Sequence, residues 1–209
     1  MTNMLKHTRS RALSSLLTLI LFLALASTGW AATPKSVIKS SHEKINRLLK
    51  KEKSGKVAKG ALEGEMKKVI NRFLDFDALA RASMSKHWKT LNAAQQKQFI
   101  TLFRQLIESN YIKRLRGDLS YKVVYGKTTT SGGKAKVPTT VERMKRGRKS
   151  ETKIVYRLKK TSGRWQVHDV VTNNVSLARN YRRSFGRVMR RNGFDSLLKK
   201  MKRKIKSLR

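Results

Sequence analysis

Hydrophobic residues recur along this chain in two periods, and the switch between them divides it. Ser36 to Lys51 carries Ile38, Ile45, Leu48 and Leu49 at helical spacing, with Ser41 on the same face. Lys50 to Gly60 is charged and contains glycine, so it reads as a connection. Leu62, Met66, Val69, Ile70 and Phe73 mark a second amphipathic helix. Asp75 stands as the N-cap of a short helix carrying Phe76, Leu79 and Ala80. Asn92, with Gln95 three residues on, resembles a capping box. Phe99, Leu102, Phe103, Leu106, Ile107 and Tyr111 then line one broad, aromatic face of the clearest helix, which ends over Arg114 to Gly117.

From Leu119 the period becomes two. Tyr121, Val123 and Tyr125 alternate with their neighbours, as do Ala135, Val137, Thr139 and Val141. Ile154, Tyr156 and Leu158 form a third run, and Trp165, Val167, Asp169 and Val171 a fourth. Turn signals separate them at Ser131-Gly132-Gly133, Arg146-Gly147-Arg148 and Ser162-Gly163. Pro138 within the second run predicts an edge strand or a bulge. Four strands joined by tight turns make an antiparallel meander. Helix returns from Ser176 with Leu177, Tyr181, Phe185, Val188 and Met189 on one face, and Gly193 fits its C′ position. A last helix carries Leu197, Leu198, Met201, Ile205 and Leu208. Helices, a meander, then helices describe an α+β domain with one antiparallel sheet of about four strands.

Charge adds a partner class to this picture. The 209 residues include 50 Lys and Arg against 12 Asp and Glu, a net charge of +38. Such an excess implies contact with something anionic: nucleic acid, lipid headgroups or acidic polysaccharide. The absence of cysteine excludes a thiolate nucleophile, a CxxC redox pair and Cys-ligated zinc. Arg143 to Lys149 is basic at five of seven positions, and Lys199 to Arg209 at seven of eleven. The second stretch is interleaved with Met201, Ile205 and Leu208. It is either a basic helix lying on an anionic membrane or a solvated helix docked on its own core by the same apolar residues.

The N-terminus narrows the choice of partner. Lys6, Arg9 and Arg11 precede an apolar run from Ala12 to Ala26, and Gly29-Trp30-Ala31 offers a small-x-small cleavage pattern. Residues 1–31 therefore read as a secretory signal and 32–209 as a single exported domain. Export makes nucleic acid an unlikely partner and favours lipid headgroups or lipopolysaccharide.

Little points to catalysis. His42, His87 and His168 lie in three different elements, and His168 and Asp169 are strand neighbours that point to opposite faces. Asp75 and Asp77 are explained by a helix N-terminus. No P-loop, GxGxxG or GxSxG occurs, and no carboxylate cluster has the ligand density of a calcium or magnesium site. An enzyme with an NTF2-like cone would need a titratable group inside it, and Asp169 is the candidate on the inward-reading strand face. The apolar sheet face (Val123, Tyr125, Val137, Ile154, Tyr156, Trp165, Val167) either closes an ordinary core or curves away from its helices to leave a ligand cavity.

Two blocks of residues then carry a family resemblance. Asp75-Phe76-Asp77-Ala78-Leu79-Ala80-Arg81, Trp88, Gln95-Gln96, Phe99, Phe103 and Tyr111 form the first. Tyr156, Gly163, Trp165, Val167, Asp169, Val170, Asn174-Val175-Ser176-Leu177, Tyr181-Arg182, Phe185 and Gly193 form the second. Their order and spacing resemble the MlaC family of periplasmic phospholipid carriers across most of Ala32 to Met201. Asn174 and Ser85 depart from it, each standing where the family commonly has Gly; Asn tolerates the left-handed backbone such a turn needs.

The resemblance implies a curved, NTF2-like sheet whose N- and C-terminal helices enclose a hydrophobic acyl-chain pocket. It implies no enzyme activity and no cofactor, with phospholipid as cargo. The implied partners are an inner-membrane ABC transporter complex with an MCE-type subunit, an outer-membrane lipoprotein–porin complex and, transiently, anionic membrane. The residues expected against lipid are Trp88, Phe103, Leu106, Tyr111, Val123, Tyr125, Val137, Ile154, Tyr156, Trp165, Val167, Val171, Val175 and Tyr181, with Arg182 at the headgroup or pocket mouth. The alternative from another class is an exported polyanion-binding protein with a filled core.

Overall fold

Local capping chemistry starts three of the helices where the pattern places them. The computed structural model describes residues 32–117, 119–145 and 147–208; the secretory signal read at 1–31 lies outside the described residues. Helix α1 (Pro34–Lys53) begins at Thr33, whose hydroxyl accepts from the Ser36 N–H at 3.1 Å, and Pro34 occupies the first turn, where no donor is needed. Helices α2 (Glu63–Phe73) and α3 (Phe76–Met84) follow, then a 3₁₀ segment (Ser85–Thr90) and the long α4 (Ala93–Gly117). The Asp75 carboxylate caps α3 by accepting from the Ala78 N–H at 2.9 Å. The capping box at Asn92 is reciprocal: the Gln95 N–H donates to Asn92 Oδ1 at 2.9 Å, and the Asn92 N–H donates to Gln95 Oε1 at 3.0 Å.

The curved antiparallel sheet has six strands rather than four. They are β1 (Tyr121–Tyr125), β2 (Thr129–Ser131), β3 (Lys134–Lys145), β4 (Arg148–Thr161), β5 (Arg164–Thr172) and β6 (Val175–Ser176). Their order is β1-β3-β4-β5-β6, with β2 also paired to β3. β2 and β6 are too short to show a period. Pro138 lies in the interior strand β3, not at an edge, and its position explains the tolerance. Its carbonyl accepts from the Gly126 N–H at 2.9 Å, so its missing donor faces the break between β1 and β2. A side chain at Gly126 would meet the proline ring at 3.2 Å, which suits glycine there.

A bulge in β5 overturns part of the period-2 reading. Leu158 pairs with Val167, but Arg157 pairs with Asp169, so His168 is an extra residue. Trp165 and Val167 share a face with Leu158, whereas Asp169 and Val171 turn to the face of Arg157 and Val155. Val170, opposite Tyr156, takes their place on the inner face. Asp169 is therefore not an inward group. Buried on the other side, it accepts from Ser176 Oγ at 2.8 Å and the Ala178 N–H at 3.1 Å, and Arg157 approaches at 3.4 Å.

Those bonds anchor helix α5 (Leu177–Leu208), which is broken by non-helical backbone at Gly193 (φ 72°) where the pattern ends one helix and starts another. Both departures from the family pattern carry positive φ: 51° at Ser85 and 65° at Asn174. Replacing Asp169 by Ala strips two buried donors of their acceptor and should lower stability by about 2–4 kcal/mol in urea unfolding. Arg157→Ala, with a 40 % exposed side chain, should cost about 1 kcal/mol or less.

Candidate functional site

The pleat gathers one apolar face from four strands. Val123 and Tyr125 of β1 lie opposite Val141 and Thr139, Val137 opposite Tyr156, Thr139 opposite Ile154, and Leu158 opposite Val167. Residues directly opposite point to the same side, so the predicted residues Val123, Tyr125, Val137, Ile154, Tyr156, Trp165 and Val167 do share a face. Val137, Tyr156, Leu158 and Val167 are buried, while Val123, Tyr125, Ile154 and Trp165 are half-buried.

Helix α1 covers this face with a polar contact that the periodicity did not single out. Ile38, Ile45 and Leu49 are buried, and His42 occupies the stripe position between them. Its Nδ1 lies 3.0 Å from the Tyr125 hydroxyl and its Nε2 2.9 Å from the Tyr156 hydroxyl. One turn on, Asn46 Oδ1 accepts from the Tyr121 hydroxyl. Burial lowers the His42 pKa to about 4, so its ring is neutral at pH 7. A neutral imidazole has one N–H and one lone pair, so one tyrosine accepts from it and the other donates. Burial also pushes the Tyr125 phenol up to about 12 and those of Tyr111 and Tyr156 further. At pH 7 His42, Tyr125 and Tyr156 are therefore uncharged, and they set a few polar atoms among largely apolar side chains. The signal for His42 was present in its spacing, +4 from Ile38 and −3 from Ile45.

Of the other expected residues, Tyr111 approaches this face, close enough for its phenol to interact with those of Tyr121, Tyr125 and Tyr156, and the rest fall elsewhere. Tyr111 of α4 packs near Phe73, with ring centroids 6.5 Å apart. Phe103 joins an aromatic group in another part of the same core: it stacks on Phe99 at 5.5 Å and meets Tyr181 and Phe185 edge-on at 5.0 and 5.7 Å. Trp88 abuts Phe99 at 6.4 Å, and Leu106 is buried in the same core. This cluster fastens α5 to α4. Val171 lies on the far side of the bulge, Val175 is 50 % exposed, and Arg182 is an exposed cation of α5.

The basic C-terminal stretch takes the docked form. Leu197, Leu198, Met201 and Ile205 are buried in the core, which leaves Lys199, Lys200, Lys202, Arg203, Lys204 and Lys206 exposed. Among the described residues, no helix is long and apolar enough to cross a membrane, and no group of three or more His, Asp or Glu residues converges as metal ligands would. Two cavities, of about 420 and 440 Å³, lie away from the tyrosine face: one where α2 meets α3, the other between the start of α4 and the end of α5.

The MlaC protein family model matches residues 39–203. A phospholipid-binding protein from Ralstonia solanacearum, solved in complex with a phospholipid, has a similar fold. The TM-score is 0.70 at 19 % identity, and the match covers 85 % of this chain and 99 % of that one. No curated protein sequence matches the chain.

The buried imidazole makes stability depend on pH. Between pH 6.5 and about 4 the unfolded chain binds a proton that the folded His42 does not, so this contribution is full above 6.5 and is lost as pH falls through that window. In urea unfolding, the stability advantage of wild type over His42→Gln should shrink by about 2–3 kcal/mol between pH 7 and pH 4.5. A gap independent of pH would place the charged form in the folded protein.

Proposed function

This chain belongs to the MlaC family, and from that premise we propose that it is a phospholipid carrier whose acyl-chain site is the tyrosine-bearing sheet face under α1. The observation that carries the reading is that face itself: broad and largely apolar, with the hydroxyls of Tyr121, Tyr125 and Tyr156 hydrogen-bonded to one covering helix. The phospholipid seen in the Ralstonia solanacearum protein of like fold supports it. Physical need supports it too. At ~0.8 kcal/mol per buried CH₂, exposing two acyl chains of common length to water costs on the order of 20 kcal/mol. A carrier must shield that surface, and shielding requires a dry cavity rather than a catalytic group.

In this reading, lifting α1 from the sheet admits the chains, and Val123, Ile154 and Trp165, already half-buried, line the opening. The protein works in the periplasm, exported by the 1–31 segment. It exchanges lipid with an inner-membrane ABC transporter bearing an MCE-type subunit and with an outer-membrane lipoprotein–porin complex. The exposed arginines of α5, including Arg183 and Arg187, face anionic membrane during exchange. Because the apolar side of α5 is spent on the core, that contact is electrostatic and does not insert.

Adjacent residues of β1 provide the test. Val123 points to the covered face, and Val124, 41 % exposed, points away. Val123→Glu should abolish the lipid that co-purifies with wild type, read by native mass spectrometry, and Val124→Glu should leave it intact. Equal lipid content in folded samples of both, or none in wild type, would remove the site from this face. Arg183→Glu with Arg187→Glu should weaken flotation with phosphatidylglycerol vesicles, and 1 M salt, with a Debye length of about 3 Å, should abolish it. Flotation unaffected by salt would instead indicate insertion.

A further inference from the structure

Donors on the tyrosine face outnumber the acceptors they meet. Four polar groups gather there: the imidazole of His42 and the phenols of Tyr111, Tyr125 and Tyr156. The imidazole stands between two of them, 3.0 Å from the Tyr125 hydroxyl and 2.9 Å from that of Tyr156. Burial keeps the imidazole neutral and the phenols protonated at pH 7, so each group has one hydrogen to donate. The relay uses two of these four hydrogens. His42 donates its single N–H to one tyrosine and accepts from the other, and its ring has no second lone pair for the O–H that remains. In either tautomer, one of the two phenols keeps an O–H with no acceptor among the described residues.

Tyr111 supplies another. Its hydroxyl makes no hydrogen bond among the described residues. It is not sealed in, because the unpaired side-chain atoms that are shielded from solvent belong to other residues. Tyr111 and Tyr125 are both half-buried, at the border of the core, so a ligand seated on this face can touch them. Val137, Leu158 and Val167 continue the same sheet face as buried apolar side chains. Bare hydrocarbon laid over this surface would strand both O–H groups. The ligand that suits it joins an apolar body to two oxygens that accept.

We propose that the two spare hydroxyls bind the ester carbonyls of a diacyl phospholipid. One is Tyr111, and the other is the free phenol of the His42 relay, which is Tyr125 when Nδ1 carries the hydrogen. The assignment rests on the carrier reading and narrows its cargo. Ester carbonyls stand at the root of the two chains, so the hydroxyls fix how deep the chains enter. His42 is a positioning residue: by donating to Tyr125 it turns that O–H away from the relay. A dialkyl ether analogue keeps the chains, glycerol and headgroup but lacks both carbonyls, and a site built to bond them discriminates against it.

The test is competition. Vesicles holding equal amounts of diacyl and dialkyl phosphatidylglycerol of matched chain length are incubated with wild type, Tyr111→Phe and Tyr111→Phe/Tyr125→Phe. Lipid bound to the re-isolated protein is quantified by mass spectrometry. Wild type should take the diacyl lipid in at least about tenfold excess. Tyr111→Phe should lower that excess severalfold, and the double variant should bring it near parity. Urea transitions check that both fold. The single variant removes a hydroxyl with no partner among the described residues, so it carries the test if the double variant does not fold. The proposal is overturned if wild type takes the two lipids equally, or if folded Tyr111→Phe keeps the wild-type excess. It is equally overturned if a variant loses both lipids in the same proportion, which is a packing effect. Wild type that takes up neither lipid and holds none as purified removes the carrier reading, and this assignment with it; equal uptake of both removes this assignment alone.

Discussion

A single extra residue in β5 sets the arrangement of the helices. Before His168, the strand turns Trp165 and Val167 toward the covered face; after it, Asp169 and Val171 face the other way. Each side of the switch holds a different part of the chain. The Val167 carbonyl accepts from the Asp75 N–H at 2.8 Å, tying the α2–α3 junction to the free edge of β5. Asp169 receives Ser176 and Ala178 at the start of α5. Without the bulge, the carboxylate would point into the apolar face and α5 would lose its anchor. The cost of burying a carboxylate is offset here by three donors.

Much of this was legible because it is local. Capping at Asp75 and Asn92, the glycine turns and the break at Gly193 depend on a few neighbouring residues, and their chemistry is readable one window at a time. The bulge is different. Reading Trp165, Val167, Asp169 and Val171 as one alternating run is self-consistent, and only the register against β4 shows the slip. β2 and β6 lack the length to show a period. His42 fits the helical stripe, but a histidine there is informative only once Tyr125 and Tyr156 are known to stand opposite. The family pattern named residues from two parts of one core together, since sequence order does not distinguish a ring that faces the sheet from one that fastens α5 to α4.

The charges divide by role. Most carboxylates of the described residues serve the fold. Arg116 forks onto Glu52 at 3.1 and 3.2 Å and reaches Glu63 at 3.3 Å, joining three helices, while Glu52 also accepts from the N–H groups of Gly60 and Leu62. Glu142 and Glu151 share Lys149 across the β3–β4 hairpin. Few acids remain to balance α5, so its cations form a surface of one sign. That surface does not dictate the fold, but it raises the rate of encounter with anything anionic and makes that encounter sensitive to salt.

The break opposite Pro138 bears on self-association. A long unpaired strand is a template on which a second copy can add its own. Here the outer border of the sheet consists of two short strands, β1 and β2, interrupted at Gly126 to Thr128, and the interior strand they border lacks a donor at that point. An incoming strand finds no continuous ladder, and Lys122 and Lys127 place charge along the same border. The residue that breaks the pairing within the sheet thus also guards it against growth into fibrillar or edge-to-edge assemblies.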